Sequence, residues 1–230
     1  MTELNNVLPP PVHLTDAAAS MRRIHPRSSI SNRGYVVVPV PGQPGRRKRI
    51  HFESRLEQKV IYLLLARPDA LDVVEQQRIM LPCAEGFTPH TLDLLALMLD
   101  GGRVGILVKP MKYAKSEKMR EQVIALQQHA IPTHADRFIV ITDADFTPIQ
   151  VRNAELLHLA RNSPDSVADD VVREFAEQLT GDIRIDRLIG ATPLGGRGFR
   201  AVVRAIGTGV LRPTNTGLID LHASVRKGEF

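Results

Sequence analysis

Apolar residues first recur at helical spacing over residues 52–66. Leu56, Val60, Leu63 and Leu64 share a face there, and Pro68 lies just beyond the end. Short apolar runs follow. Val73-Val74 predicts a short strand leading into Glu75-Gln76, and residues 92–99 and 104–108 predict two strands joined by a tight Asp100-Gly101-Gly102 turn. Residues 114–130 predict a mostly polar helix, Phe138-Ile139-Val140-Ile141 a buried strand, and residues 149–161 a helix carrying Ala154, Leu156, Leu157 and Ala160. This order of helix, strand meander, helix, strand and helix predicts an α/β unit, a central mixed sheet with helices on its faces.

A boundary is expected near Asn162-Ser163-Pro164. Beyond it come three helical patterns, 165–179, 183–190 and 197–207, then two short strands between 211 and 225 around a Thr214-Asn215-Thr216-Gly217 turn. Three helices and a hairpin predict a winged helix-turn-helix. Ahead of the first helix, residues 1–50 read as a basic, proline-rich tail. Pro9, Pro10, Pro11, Pro26, Pro39, Pro41 and Pro44 interrupt regular structure, apart from a short edge strand over residues 35–38. The run Gly45-Arg46-Arg47-Lys48-Arg49 reads either as a solvated linker or as a track along a phosphate backbone. The expected regions are therefore a tail (1–50), an α/β domain (51–163) and a small helical domain (164–230).

Composition adds bounds. A chain of 230 residues holds one good core plus a small second unit, and a hydrophobic fraction of 43% lets most of it fold. No apolar run approaches the ~18 residues of a membrane span. Met1 to Pro11 lacks the basic start and apolar run of a secretory leader. Cys83 is the single cysteine, which excludes an internal disulfide and fits a reducing cytoplasm. Net charge is +5 and unevenly spread: residues 1–50 carry eight Lys/Arg against two acids, and residues 181–230 eight against four, so the middle is acidic. Basic ends around an acidic centre point to polyanion contacts; basic termini that only aid solubility are the alternative.

Candidate chemistry lies in the α/β unit. Val60, Ile61 and Leu64 fall within about 60° of Glu57 on a helical wheel, so its carboxylate must be paired, hydrogen-bonded or metal-bound. Lys59 or Arg55 would be its purely structural partners. Asp93 interrupts an apolar strand, and Lys109 ends one that would otherwise bury both faces. A lysine at a strand end, an acid on the neighbouring strand and an acid on the preceding helix suit phosphodiester hydrolysis. Carboxylates hold a divalent cation, and the lysine orients or activates the attacking water. The bland alternative lets Lys109 snorkel to solvent. Residue 107 shares a strand face with Lys109 and is expected to point into the site, but leucine there supplies no oxygen. Glu53, one turn before Glu57, could assist, and Glu53, Glu75 or Gln76 would be the alternative sources of the missing oxygen.

These residues resemble the TnsA family, transposon-end endonucleases of the PD-(D/E)xK restriction-endonuclease fold. The likeness starts at Phe52-Glu53-Ser54-Arg55-Leu56-Glu57, similar to the family's Ser-x-x-Glu helix. Glu75-Gln76 is similar to its Glu-Gln-Pro, with Gln77 in place of proline. His90-Thr91-Leu92-Asp93-Leu94 is similar to its His-Thr-Pro-Asp-Phe, and Asp100-Gly101 and Val108-Lys109-Pro110 fall at its intervals. Thr142-Asp143 and residues 152–157 resemble its downstream strand and helix; coverage is roughly 45–225. The resemblance implies a restriction-endonuclease-like mixed sheet followed by a winged helix, with Glu57, Asp93 and Lys109 catalytic. Metal (Mg²⁺ or Mn²⁺) would be held by Glu57, Asp93 and the Val108 carbonyl. It implies double-stranded DNA as substrate, a transposase or AAA+ ATPase as partner, no membrane, and room for a homodimer. Leu107 departs from the family's Asp, Glu or Gln, so an inactive DNA-binding regulator or architectural protein is the alternative.

Residues 197–207 carry the expected DNA reader. Arg197, Arg200 and Arg204 fall within about 60° of one another, opposite Phe199, Val202, Val203 and Ile206, with Arg212 near the expected wing. A solvated arginine face is the alternative. Lys112, Lys115, Lys118 and Arg120 would line a DNA groove beside Lys109, or form a solvent face balanced by Glu117 and Glu121. His129 and His134 lack zinc-site spacing, and no glycine run precedes a Gly-Lys-Ser/Thr phosphate loop.

Overall fold

The structure is a computed structural model and describes residues 32–43, 45–83 and 85–228. The prolines expected to break the first part of the tail, Pro9, Pro10, Pro11 and Pro26, lie outside the described residues, as does Pro44. Elements follow in the order β1 (Gly34–Pro39), β2 (Arg47–Phe52), α1 (Arg55–Leu65), β3 (Ala70–Cys83), β4 (Gly86–Met98), β5 (Arg103–Val108), α2 (Met111–Ala114), α3 (Glu117–His129), β6 (Arg137–Ile141) and α4 (Pro148–Arg161). They continue with α5 (Ser166–Glu177), β7 (Ile183–Arg184), α6 (Ile185–Gly190), α7 (Gly198–Gly207), β8 (Leu211–Pro213) and β9 (Ser224–Lys227).

A four-stranded sheet, ordered β3-β4-β5-β6, forms the centre, antiparallel except for the parallel β5–β6 pair. Its two faces are covered differently. On one, Val104, Ile106 and Val108 of β5 meet Val60, Ile61 and Leu64 of α1 and Val36, Val38, Ile50 and Phe52 of the β1–β2 hairpin. On the other, Leu107 and Phe138 pack with Met119 and Leu126 of α3. Each fully buried aliphatic side chain contributes roughly 1.5–3 kcal/mol to this two-sided core. Gly105 is required by close approach: a Cβ there would lie 2.4 Å from the Phe138 ring, its partner across the parallel ladder.

The expected tail is shorter than predicted. Residues 34–52 pair as an antiparallel hairpin whose inward side chains complete the first core. Nor is the basic run a solvated linker. Lys48 Nζ lies 2.6 Å from the buried Asp72 carboxylate, Arg47 donates to the Asn162 side chain and carbonyl, and the Arg49 guanidinium lies 5.0 Å from the Tyr35 ring centroid. The apolar alternation of Val36, Val38, Ile50 and Phe52 outweighs the local prolines.

The strand expected at Val73-Val74 is also much longer. β3 and β4 pair from Ala70↔Met98 out to Cys83↔Gly86, because Ile79, Leu81 and Leu92 bury against α3 and hold the outer part of the ribbon. The polar helix is split, α2 ending at Ala114 and α3 starting after the Ser116 cap, whose hydroxyl accepts the Met119 N–H.

The C-terminal part packs α5, α6 and α7 with a three-stranded sheet, β7-β9-β8. Helix α4 precedes the expected 163/164 boundary yet serves both sides. Leu156, Leu157 and Ala160 join the C-terminal core, and Asn153 bonds Gly217 O and Ile219 N at 2.9 Å. On its other side the His158 ring packs on Tyr62 of α1, 5.2 Å between centroids. Among the described residues no helix is long and apolar enough to cross a membrane.

Candidate active site

The site forms where β4 and β5 part. Their pairing runs from Leu97↔Arg103 to Leu94↔Ile106 and goes no further. Past that point the Asp93 carboxylate bridges the gap: Oδ2 accepts the Val108 N–H at 2.8 Å and the Lys109 ammonium at 2.8 Å. Strand β3 is irregular at the same level. Its register passes from Glu75↔Leu94 to Gln77↔Leu92 and leaves Gln76 across from Asp93, buried, with φ at +52°, a left-handed value uncommon outside glycine. Side-chain alternation breaks here too. Leu94 belongs to the α1-side core and Leu92 to the α3-side core, although a regular strand would send both to one face.

Glu57 reaches the site from the first turn of α1. Ser54 caps this helix: its Oγ accepts the Glu57 N–H at 3.1 Å and donates to Glu57 Oε1 at 3.0 Å, while the Glu53 N–H donates to Oε2 at 2.8 Å. This Ser-x-x-Glu unit is a capping-box variant, so the glutamate has a structural duty as well. Burial raises the Glu57 pKa; the Glu53 N–H works against that shift, and the nearby Asp93 charge adds to it. Glu53 adds its charge as well, so three carboxylates share one local field, and Lys109 pairs with Asp93 among them.

Other predicted residues are placed elsewhere. Leu107 is 1% exposed and packs in the α3-side core, so it does not open into solvent beside Lys109. Glu75 is buried and held by His51 Nδ1 at 3.1 Å. Sequence reasoning assigned no role to His90 or Gln122. Gln122 Nε2 of α3 lies 3.0 Å from His90 Nδ1, and His90 feels the charges of Asp93 and Lys109. Burial is the main cause that lowers the His90 pKa. The placement of His90 three residues before Asp93 was a signal, hidden because regular alternation would put the two on opposite faces.

The set expected to hold a divalent cation is two carboxylates, Glu57 and Asp93, and the Val108 carbonyl. Among the described residues, no group of three or more His, Cys, Asp or Glu is placed to hold a metal. The smaller set still fits Mg²⁺, which keeps several waters and is held through one or two carboxylates together with substrate phosphates. A carboxylate accepts about four hydrogen bonds, and Glu57 and Asp93 each show two, so lone pairs remain on both.

The arginine set is not a free stripe. Arg197 Nε lies 2.7 Å from Asp165 Oδ2, and this pairing lowers the Asp165 pKa to about 2. Arg204, 9% exposed, bonds Asp169 Oδ1 and Ser163 O, both at 2.7 Å. The acids sit four residues apart on α5 and its cap, and fasten arginines seven residues apart. Helix α7 is buried along Ala201, Val202, Val203 and Ala205. Arg200 and Arg212 are exposed. No protein-family model and no curated protein matches the chain.

Proposed function

We propose that this chain acts on double-stranded DNA as a metal-dependent endonuclease of the TnsA-like kind. The observation that carries the reading is the placing of side chains from separate elements near one another: Lys109 contacts Asp93 at 2.8 Å, and Glu57, whose pKa is raised chiefly by burial, also feels the Asp93 charge. The four-stranded mixed sheet with α1 and α3 on opposite faces is compatible with a restriction-endonuclease-like unit. The three C-terminal helices and small sheet are compatible with a winged helix.

Glu57, Asp93 and the Val108 carbonyl would hold Mg²⁺ or Mn²⁺, which supplies an acidified water and offsets charge building on the phosphate. The protein's own part is positional. The Ser54 hydroxyl and Glu53 N–H fix the Glu57 carboxylate, the Val108 N–H fixes Asp93, and Lys109 presents its ammonium to a water or a phosphate oxygen. The reading calls for a transposase or AAA+ ATPase as partner, which co-purification tests. Incubation of the purified chain with duplex DNA and Mg²⁺ or Mn²⁺ should give cut product, and Asp93→Asn should give none. No cutting by the unaltered chain under either metal would reject hydrolysis.

A second reading, duplex binding without hydrolysis, is favoured by one observation: Leu107 lies in a packed core and supplies no oxygen to the site. It predicts salt-sensitive binding and intact DNA under every metal.

A further inference from the structure

Of the arginines expected to grip DNA, Arg197 and Arg204 are paired with acids of the C-terminal part, whereas a row of cations begins at the active site itself. Lys109 ends β5, and after Pro110 the chain enters α2 and α3. Lys112, Lys115 and Lys118 follow at every third residue, all exposed. Lys118 lies one turn before Gln122 on the same face of α3. Gln122 touches His90, and His90 lies on β4 beside the Asp93 and Lys109 charges. A connected path therefore runs from the basic start of α3 to the wall of the site.

Acids nearby compensate this row only in part. Glu117 pairs with Arg120 at 3.3 Å, and Asp143 accepts the Met111 N–H at 2.7 Å. Glu121 is exposed, one turn along from Glu117. Lys112 lies 4.7 Å from the Tyr113 ring centroid, a contact that keeps its charge intact.

We infer that α2 and the first turn of α3 form the phosphate grip of this protein, with Lys112, Lys115 and Lys118 holding the duplex backbone that leads into the Glu57–Asp93–Lys109 site. The inference rests on the DNA reading above and names its contact surface. Its occupant is a phosphate backbone, because exposed, predominantly positive charge continuous with Lys109 complements a regular polyanion. Recognition of this kind is independent of base sequence.

Fluorescence anisotropy of a labelled duplex of about 30 base pairs, titrated with the full chain across a salt series, tests this. The substitutions are Lys112→Gln, Lys115→Gln and Lys118→Gln together, and Lys115→Gln alone. The triple variant should bind at least about tenfold more weakly near 0.1 M salt, and its log K against log salt slope should fall by roughly 2–3; the single variant should lose roughly 1. The weakening should be equal on unrelated sequences, with circular dichroism and thermal melting unchanged. Unaltered affinity and slope in the triple variant would overturn the inference while duplex binding stands. Absence of duplex binding by the unaltered chain would overturn the inference and the DNA reading together.

Discussion

Asp93 Oδ2 accepts the Val108 backbone N–H at 2.8 Å, across the gap where β4 and β5 separate. The carboxylate therefore replaces a ladder hydrogen bond as well as contacting Lys109. Asp93→Asn keeps an oxygen for Val108 and should abolish cutting at little cost in stability. Asp93→Ala strands a half-buried N–H and should also lower unfolding free energy by about 1–3 kcal/mol. Urea denaturation beside the cleavage assay separates the two effects.

Glu57 gives a signed pH dependence. Its folded pKa lies above the ordinary carboxylate value. Between the unfolded and folded values the native state therefore binds more protons, so stability falls as pH rises through that window. The penalty is fully present above the folded value. Glu57→Gln retains an acceptor for Glu53 N–H and a donor toward Ser54 Oγ. It should melt at the same or a higher temperature at pH 7, flatten the dependence above pH 4.5, and lose cutting. A large drop in melting temperature would make Glu57 chiefly a helix cap.

Leu107→Gln places an amide in the α3-side core. Without a partner there it should cost about 1–3 kcal/mol, read as a lower urea midpoint at constant slope. Restored or enhanced cutting without loss of stability would show instead that residue 107 faces the site.

Arg204 and Arg200 should differ sharply. Arg204 joins α7 to α5 through Asp169, largely away from water. Arg204→Ala leaves Asp169 and the Ser163 carbonyl without their donor and should destabilise by about 3 kcal/mol. Arg200 is exposed, and Arg200→Ala should stay within about 0.5 kcal/mol. Equal effects in thermal melts would contradict the pairing.

Periodicity located α1, β5, β6 and α4 closely, because each buries one regular face or a full apolar run. It singled out Glu57, Asp93 and Lys109 as candidates as well, since each breaks an apolar pattern. Non-local partners decided what it missed. The Arg46-Arg47-Lys48-Arg49 run resembles linker until Asp72 and Asn162 arrive from distant sequence to meet it. The arginines at 197 and 204 share a wheel face in either reading, and only the approach of α5 and its cap supplies the acids that pair with them. His90, present in the motif, was given no role because a strand's two-residue period fails at Asp93, where Gln76 takes up its unusual backbone angle.

Helix α4 has a practical consequence for dissecting the molecule. Truncation just after Asn162 would strip the cover from Leu156, Leu157 and Ala160. A fragment starting at Pro164 would lack the same residues as part of its interior. Neither half is therefore a clean excision, and heat or denaturant should melt the two cores in a single concerted step.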